Sequence, residues 1–266
     1  MSLPAPTATT TAIVTGASAG IGADIARELA DRGYGVTLVA RREDRLQKLA
    51  AELSDKVRVE VIACDVADAA QRARLFDTIA ERGLQIDILV NNAGIGTVGA
   101  AIYSTVDAEI AQVRLNVEAV IDLTTRAVQQ MVPRGRGAIL NIGSGSGFMP
   151  TPKQAGYAGT KAFTYIYGEG LRKELAGTGI TVATVTPGPV RTEFLSVAGV
   201  TDNAFAMPKF MYMDPRAVAR IGIDAIDKDR GTVVPGWPIS LVVGVARRLP
   251  RRILLQILAY ERRNVV

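Results

Sequence analysis

No histidine occurs in the 266-residue chain, cysteine and tryptophan occur once each, and aromatic residues make up only 5% of it. The missing histidine removes the usual proton carrier near neutral pH, so acid–base chemistry must fall to another group. A lone cysteine, Cys64, excludes an intrachain disulfide and a cysteine-based metal cluster. With no histidine beside it a transition-metal site is not expected, and the usage fits a reducing compartment. Apolar runs such as "AIVTG", "VTLVA" and "IDILVNN" are short, and none approaches the roughly 20 residues of a membrane-spanning helix. The opening "MSLPAPTATTT" has neither a basic start nor an apolar stretch. Residues 1–10 are therefore expected to be a disordered lead-in and not a signal peptide, with the cytoplasm as the expected location. The formal net charge of +5 would suit nucleic acid. Much of the basic excess, however, sits in "RRLPRRILLQILAYERR" near the C-terminus, and so few aromatics cannot stud a basic groove, so nucleic-acid binding is not expected.

What is present is a regular alternation. Hydrophobic residues make up 48% of the chain, enough for one large core, and 11–266 is expected to be a single domain. Strand-length apolar runs ("TAIVTG", "VTLVA", "VRVEVIAC", "IDILVNN", "GAILNIGS", "ITVATVTPG", "GTVVPG") alternate with helix-period segments at 20–32, 43–53, 69–82, up to about 132, 155–176 and 215–227. Strands apolar on both faces and separated by helices predict an α/β fold. It is a Rossmann-type, doubly wound, mostly parallel seven-stranded sheet with helices on both faces.

Two features point to a dinucleotide. "TGASAGIG" (15–22) follows the first strand and opens the first helix, with Gly16, Gly20 and Gly22 spaced G-x-x-x-G-x-G. Glycines there let the backbone turn tightly against a pyrophosphate, and the helix amino end favours an anion, so Gly16, Ser18, Ala19, Gly20, Ile21 and Gly22 are candidate cofactor contacts. Three glycines also suit a close-packed corner; the first turn of a doubly wound fold is where dinucleotides bind. After the second strand, "LVARRED" offers Arg41 and Arg42 where a ribose-binding carboxylate would otherwise stand. Guanidiniums there pair with a 2'-phosphate, which favours NADP(H) over NAD(H); the alternative is a solvated pair at a helix start.

With these features on the page the chain resembles the short-chain dehydrogenases/reductases, in their single-domain branch. The marks run in order from about 11 to 235: "TGASAGIG", Asp65-Val66, "NNAG" at 91–94, Asn116 in "RLNVEA", Ser144, "YAGTK" and "PGPVRT" at 187–192. The serine pair usual in the family is here Gly143-Ser144, and the second member is retained thirteen residues before Tyr157; Ser146 is a weaker candidate. The resemblance implies a catalytic set of Asn116, Ser144, Tyr157 and Lys161. Asp65 and Val66 would meet the adenine, and Asn92, Ala93 and Gly94 would flank the cofactor. Lys161 would hold the nicotinamide ribose. Pro187 and Gly188 would pass close to the nicotinamide, Val190 would fix the exit of the chain, and Thr192 would bond the carboxamide. Asn116 would anchor a water that replenishes the tyrosine proton.

Tyr157 and Lys161 lie four apart on a predicted helix and so share a face. An ammonium within a few ångströms of the phenol is expected to lower its pKa from about 10, fitting Tyr157 to general acid–base work. Residues 193–214 occupy the family's lid position, and Phe194, Leu195, Phe205, Met207, Phe210, Met211, Tyr212 and Met213 suggest an apolar wall. The segment 238–263 reads as a helical extension for subunit contact, for capping the pocket or for lying on an anionic membrane surface. The reading is an NADP(H)-dependent oxidoreductase interconverting a carbonyl and a secondary alcohol on an apolar small molecule, in a homodimer or homotetramer. The alternatives are a 3-oxoacyl reductase and a non-catalytic NADP(H) sensor.

Overall fold

The computed structural model describes residues 3–194 and 208–260. Seven strands, β1 (Thr10–Thr15), β2 (Val36–Ala40), β3 (Val59–Ala63), β4 (Gln85–Asn91), β5 (Gly137–Ile142), β6 (Ile180–Val185) and β7 (Thr232–Val233), form one sheet in the order β3-β2-β1-β4-β5-β6-β7. Every neighbouring pair is parallel. The order reverses direction between β1 and β4, and the crevice at that switch point is where such sheets bind ligands.

The two faces of the sheet read straight from the period of two. Val14, Leu38, Val90, Leu140 and Val185 point into one core with Ile25 and Leu29 of α1 (Gly20–Asp31) and Leu46 of α2 (Glu43–Leu53). Val218, Ile223 and Ile226 of α7 (Pro215–Asp227) fill the same core. Ile13, Val39, Leu89, Ile139 and Val182 point the other way. They meet Leu75 of α3 (Ala69–Glu81), Leu123 of α5 (Ala119–Met131) and Leu171 of α6 (Ala155–Glu174). Each such fully buried aliphatic side chain contributes roughly 1.5–3 kcal/mol. Asp68 and Asp214 start α3 and α7 by accepting from the amides of Gln71 (3.0 Å) and Arg216 (2.8 Å).

One strand breaks the alternation. Thr11 pairs with Ile86 and Ala12 with Ile88, so Asp87 bulges out of register, and Arg136 holds its buried carboxylate through two bonds of 2.8 and 2.6 Å. The bulge switches the face of the sheet between Ile86 and Ile88, which pack into opposite cores.

The stretch expected to be a disordered lead-in is ordered from residue 3 onward. Leu3 is buried in the first core and its amide donates to Asp227 Oδ1 at 3.1 Å. One apolar side chain, the Leu3 amide bond and a bond from Arg136 to the Ala5 carbonyl tie down a segment whose composition alone carries no such signal. Of the expected lid, Leu195, Phe205 and Met207 lie outside the described residues, as do 261–263 of the expected extension. The described extension is two helices, α8 (Trp237–Arg248) and α9 (Arg251–Tyr260), broken at Pro250. Among the described residues no helix is long and apolar enough to cross a membrane.

Candidate active site

The C-terminal ends of β1, β4, β5 and β6 converge on one crevice. Gly16 there has φ +67°, and a Cβ on Gly22 would sit 2.4 Å from Asn92 Nδ2 and 2.5 Å from the Gly16 carbonyl oxygen. The loop is thus a cradle whose backbone lies bare, with Ala19 as the N-cap of α1 and Ile21 packed into the core beneath it. The Asn92 amide donates to the Thr15 carbonyl at 2.8 Å, and Thr15 Oγ1 accepts from the amides of Asn92 and Ala93 at 3.0 and 3.1 Å. Glycines at 16, 20 and 22 keep side chains out of this helix start, and such a cradle fits a pyrophosphate. Gly22→Ala is expected to destabilise the protein by about 1–3 kcal/mol. It should also remove nucleotide binding, as thermal melting and cofactor titration would show.

Thr192 meets the loop from the other side, 2.9 Å from where a Cβ of Gly20 would be. It is positioned by Val190, which bridges to Met213, while the Met213 amide donates to the Pro189 carbonyl at 2.9 Å. The Pro187 carbonyl accepts from the Gly145 amide at 2.8 Å, and Gly188 lies against Ile239 of α8. Beside the glycine loop Arg42 donates twice to Ser18 Oγ, at 3.2 and 3.1 Å. Arg41, its side chain 72% exposed, points to Asp65 at 3.8 Å. Val66 is buried, and its carbonyl accepts from Arg72 Nη1 at 2.9 Å.

The residues expected to do chemistry meet at the end of β5. Ser144 caps a short 3-10 turn, its Oγ accepting from the Ser146 amide at 3.2 Å, so Ser146 braces Ser144 through its backbone. Tyr157 and Lys161 occupy the buried face of α6. Burial pushes the Tyr157 phenol up to about 12, against a smaller downward pull from its hydrogen bond with Ser144. Burial also pushes the Lys161 ammonium down to about 8. This corrects the expectation that lysine lowers the tyrosine: Lys161 Nζ donates to the Ile142 carbonyl at 2.9 Å and stands 5.9 Å from the centre of the phenol ring. With nothing but protein around the pair, desolvation outweighs attraction.

Asn116 lies in a π-helical turn, Arg114–Glu118, between α4 (Val106–Val113) and α5. Its side chain is fully engaged: Oδ1 accepts from the Ile95 amide at 3.0 Å, and Nδ2 donates to the Ile95 carbonyl at 2.8 Å and to Thr160 Oγ1 at 3.0 Å. Thr160 in turn donates to the Tyr157 carbonyl at 2.8 Å. Asn116 is thereby joined to the tyrosine's own helix turn, and Gly94 fits between Asn116 Oδ1 and Lys161 Nζ.

The short chain dehydrogenase family model matches residues 10–201. The chain belongs to that family. Among curated relatives it is 36% identical to sulfoacetaldehyde reductase 2 of Chromohalobacter salexigens, over 72% of this chain and 77% of that protein. It is 32% identical to the very-long-chain 3-oxoacyl-CoA reductase of Anas platyrhynchos, over 87% of this chain and 75% of that one. A solved short-chain dehydrogenase from Sphingobium yanoikuyae, in complex with NADPH, superposes with a TM-score of 0.79 at 32% identity, covering 91% of this chain and 97% of that one. The protein is therefore an oxidoreductase acting between alcohol and carbonyl groups of a small molecule, with a nicotinamide cofactor.

Several residues of this dehydrogenase shape the site in ways that no motif spells out. Thr15 orders the backbone between β1 and β4, and Thr160 links the Asn116 side chain to the Tyr157 carbonyl. Arg72 is fully buried on α3 and donates to Asp122 Oδ2 at 2.7 Å and Glu118 Oε1 at 2.6 Å, pinning Val66 to α5. Phe194 stands 5.5 Å from the Tyr157 ring. Arg247 of α8 covers the rings of Phe148 and Tyr165 at 5.6 and 5.8 Å, so α8 walls the crevice. A mixed-charge trio, Arg42, Arg45 and Glu193, stands beside Ser18 at the edge of the crevice.

Proposed function

We propose that this dehydrogenase interconverts a carbonyl and a secondary alcohol on an apolar small molecule, using NADP(H) and Tyr157 as general acid/base. The observation that carries the reading is the convergence of Ser144, Tyr157 and Lys161 at the end of β5, beside a glycine cradle flanked by Arg42. When bound, the nicotinamide supplies or receives the hydride. The Ser144 hydroxyl donates a hydrogen bond to the carbonyl oxygen and stabilises the charge that builds there. Tyr157, held protonated by burial at neutral pH, hands its proton to the same oxygen. In the opposite direction the phenol must first ionise, so alcohol oxidation rises with pH and carbonyl reduction does not. Lys161 holds the ribose hydroxyls, and Asn116, through Thr160, braces the helix turn that carries Tyr157.

Phe194 against the Tyr157 ring and Ile239 against Gly188 support an apolar substrate. A 3-oxoacyl thioester is the second reading, supported by the relative in Anas platyrhynchos and by exposed Arg248, Arg251 and Arg252, which would draw an acidic thioester by long-range attraction. A panel of ketones, aldehydes and 3-oxoacyl thioesters, followed by NADPH oxidation, should show turnover of apolar members. Silence across the panel would overturn the assignment of an apolar carbonyl substrate.

A further inference from the structure

Arg42 spends only part of its guanidinium on Ser18. Its Nη1 donates to Glu193 Oε2 at 3.0 Å, and Arg45 Nη1 donates to both Glu193 oxygens at 2.9 and 2.8 Å. Arg42 and Arg45 are three residues apart at the start of α2 and so present their forks on one side. Glu193 comes from the opposite wall of the crevice, directly after Thr192, which abuts the glycine loop. Two guanidiniums from one wall thus share one carboxylate from the other, and Arg42 of the pair also holds Ser18.

All three side chains are about half in solvent, so the pairing adds little to stability. Its meaning lies in what guanidiniums recognise. Carboxylate and phosphate oxygens use the same fork geometry, and a phosphate monoester brings more charge than one carboxylate. A dinucleotide without a 2'-phosphate has nothing to offer Arg42 and Arg45 in exchange for Glu193.

We propose that Arg45 completes a 2'-phosphate site with Arg42 and Ser18, and that Glu193 is the built-in counter-ion that the 2'-phosphate replaces on binding. The inference rests on the NADP(H) reading above and adds to it two specificity residues. Glu193 keeps the empty arginine pair from holding other anions, at the expense of affinity for NADPH.

The test is equilibrium binding, with fluorescence for NADPH and NADH and calorimetry for adenosine 2',5'-bisphosphate and 5'-AMP as probes that carry no nicotinamide. Glu193→Gln should tighten NADPH and the bisphosphate by about fivefold, with NADH and 5'-AMP within twofold. Arg45→Ala should weaken the two 2'-phosphate ligands by about tenfold and spare the others. Thermal melting of each variant confirms that it is folded. If Glu193→Gln weakens NADPH and NADH alike, or changes neither, the counter-ion assignment is overturned. Wild-type protein that binds NADH as tightly as NADPH would instead overturn the NADP(H) reading itself.

Discussion

Replacing Tyr157 by phenylalanine is expected to lower turnover by about 10³-fold while leaving NADPH affinity within a few-fold. The substitution removes one oxygen and keeps the ring that packs 5.5 Å from Phe194, so the buried face of α6 stays filled. A chain without histidine has no imidazole to take over. Lys161 cannot substitute, because its ammonium is directed at the Ile142 carbonyl. Ser144 can donate a hydrogen bond to an oxygen, but an aliphatic hydroxyl is a far weaker acid than a phenol and does not replace it as the proton source. Stopped-flow NADPH oxidation separates the chemical step from binding, and fluorescence titration checks the latter. A variant that turns over like wild type would remove Tyr157 from the reaction.

Much of this site is legible in the sequence because its residues sit at strand ends, where the apolar run stops and the polar motif starts within one or two positions. "AIVTG" leads into the glycine cradle and "GAILNIGS" into Ser144, so finding the strands places the motifs. What escapes is of two kinds. Local geometry made from ordinary residues leaves no trace: "RLNVE" contains only common helix residues yet adopts the π turn that holds Asn116, and Asp87 in "QIDILVN" gives no hint that it bulges and flips the face of β4. Pairings between distant segments are equally silent. Arg45 and Glu193 are 148 residues apart, and Arg72 reads as one more helix-surface charge until α5 brings Glu118 and Asp122 to it. The tyrosine–lysine spacing was readable, but the sign of the electrostatics was not, because burial of both groups is a property of the packed fold.

Lys161→Met should yield a protein that is inactive and, at neutral pH, more stable than wild type. The wild-type ammonium is buried, no ion pair relieves it among the described residues, and burial pushes its pKa down to about 8 from an ordinary 10.5. Between those values the unfolded chain still binds the proton while the native chain releases it, so wild-type stability rises with pH across the window. The charged lysine therefore costs the native state about 3 kcal/mol below pH 8. Methionine fills a similar volume without charge and gives up the hydrogen bond to the Ile142 carbonyl, worth about 1 kcal/mol, leaving a net gain of about 2 kcal/mol at pH 7. Urea unfolding at pH 7 and again near pH 10 should show this gain shrinking and then reversing as the wild-type lysine neutralises. A gap that stays constant with pH would mean that the lysine is already solvated in the native state. The predicted trade has a physical source: a cation kept dry at the crevice is unfavourable for folding and useful for binding, since ribose hydroxyls and an ionising phenol are the groups that would satisfy it.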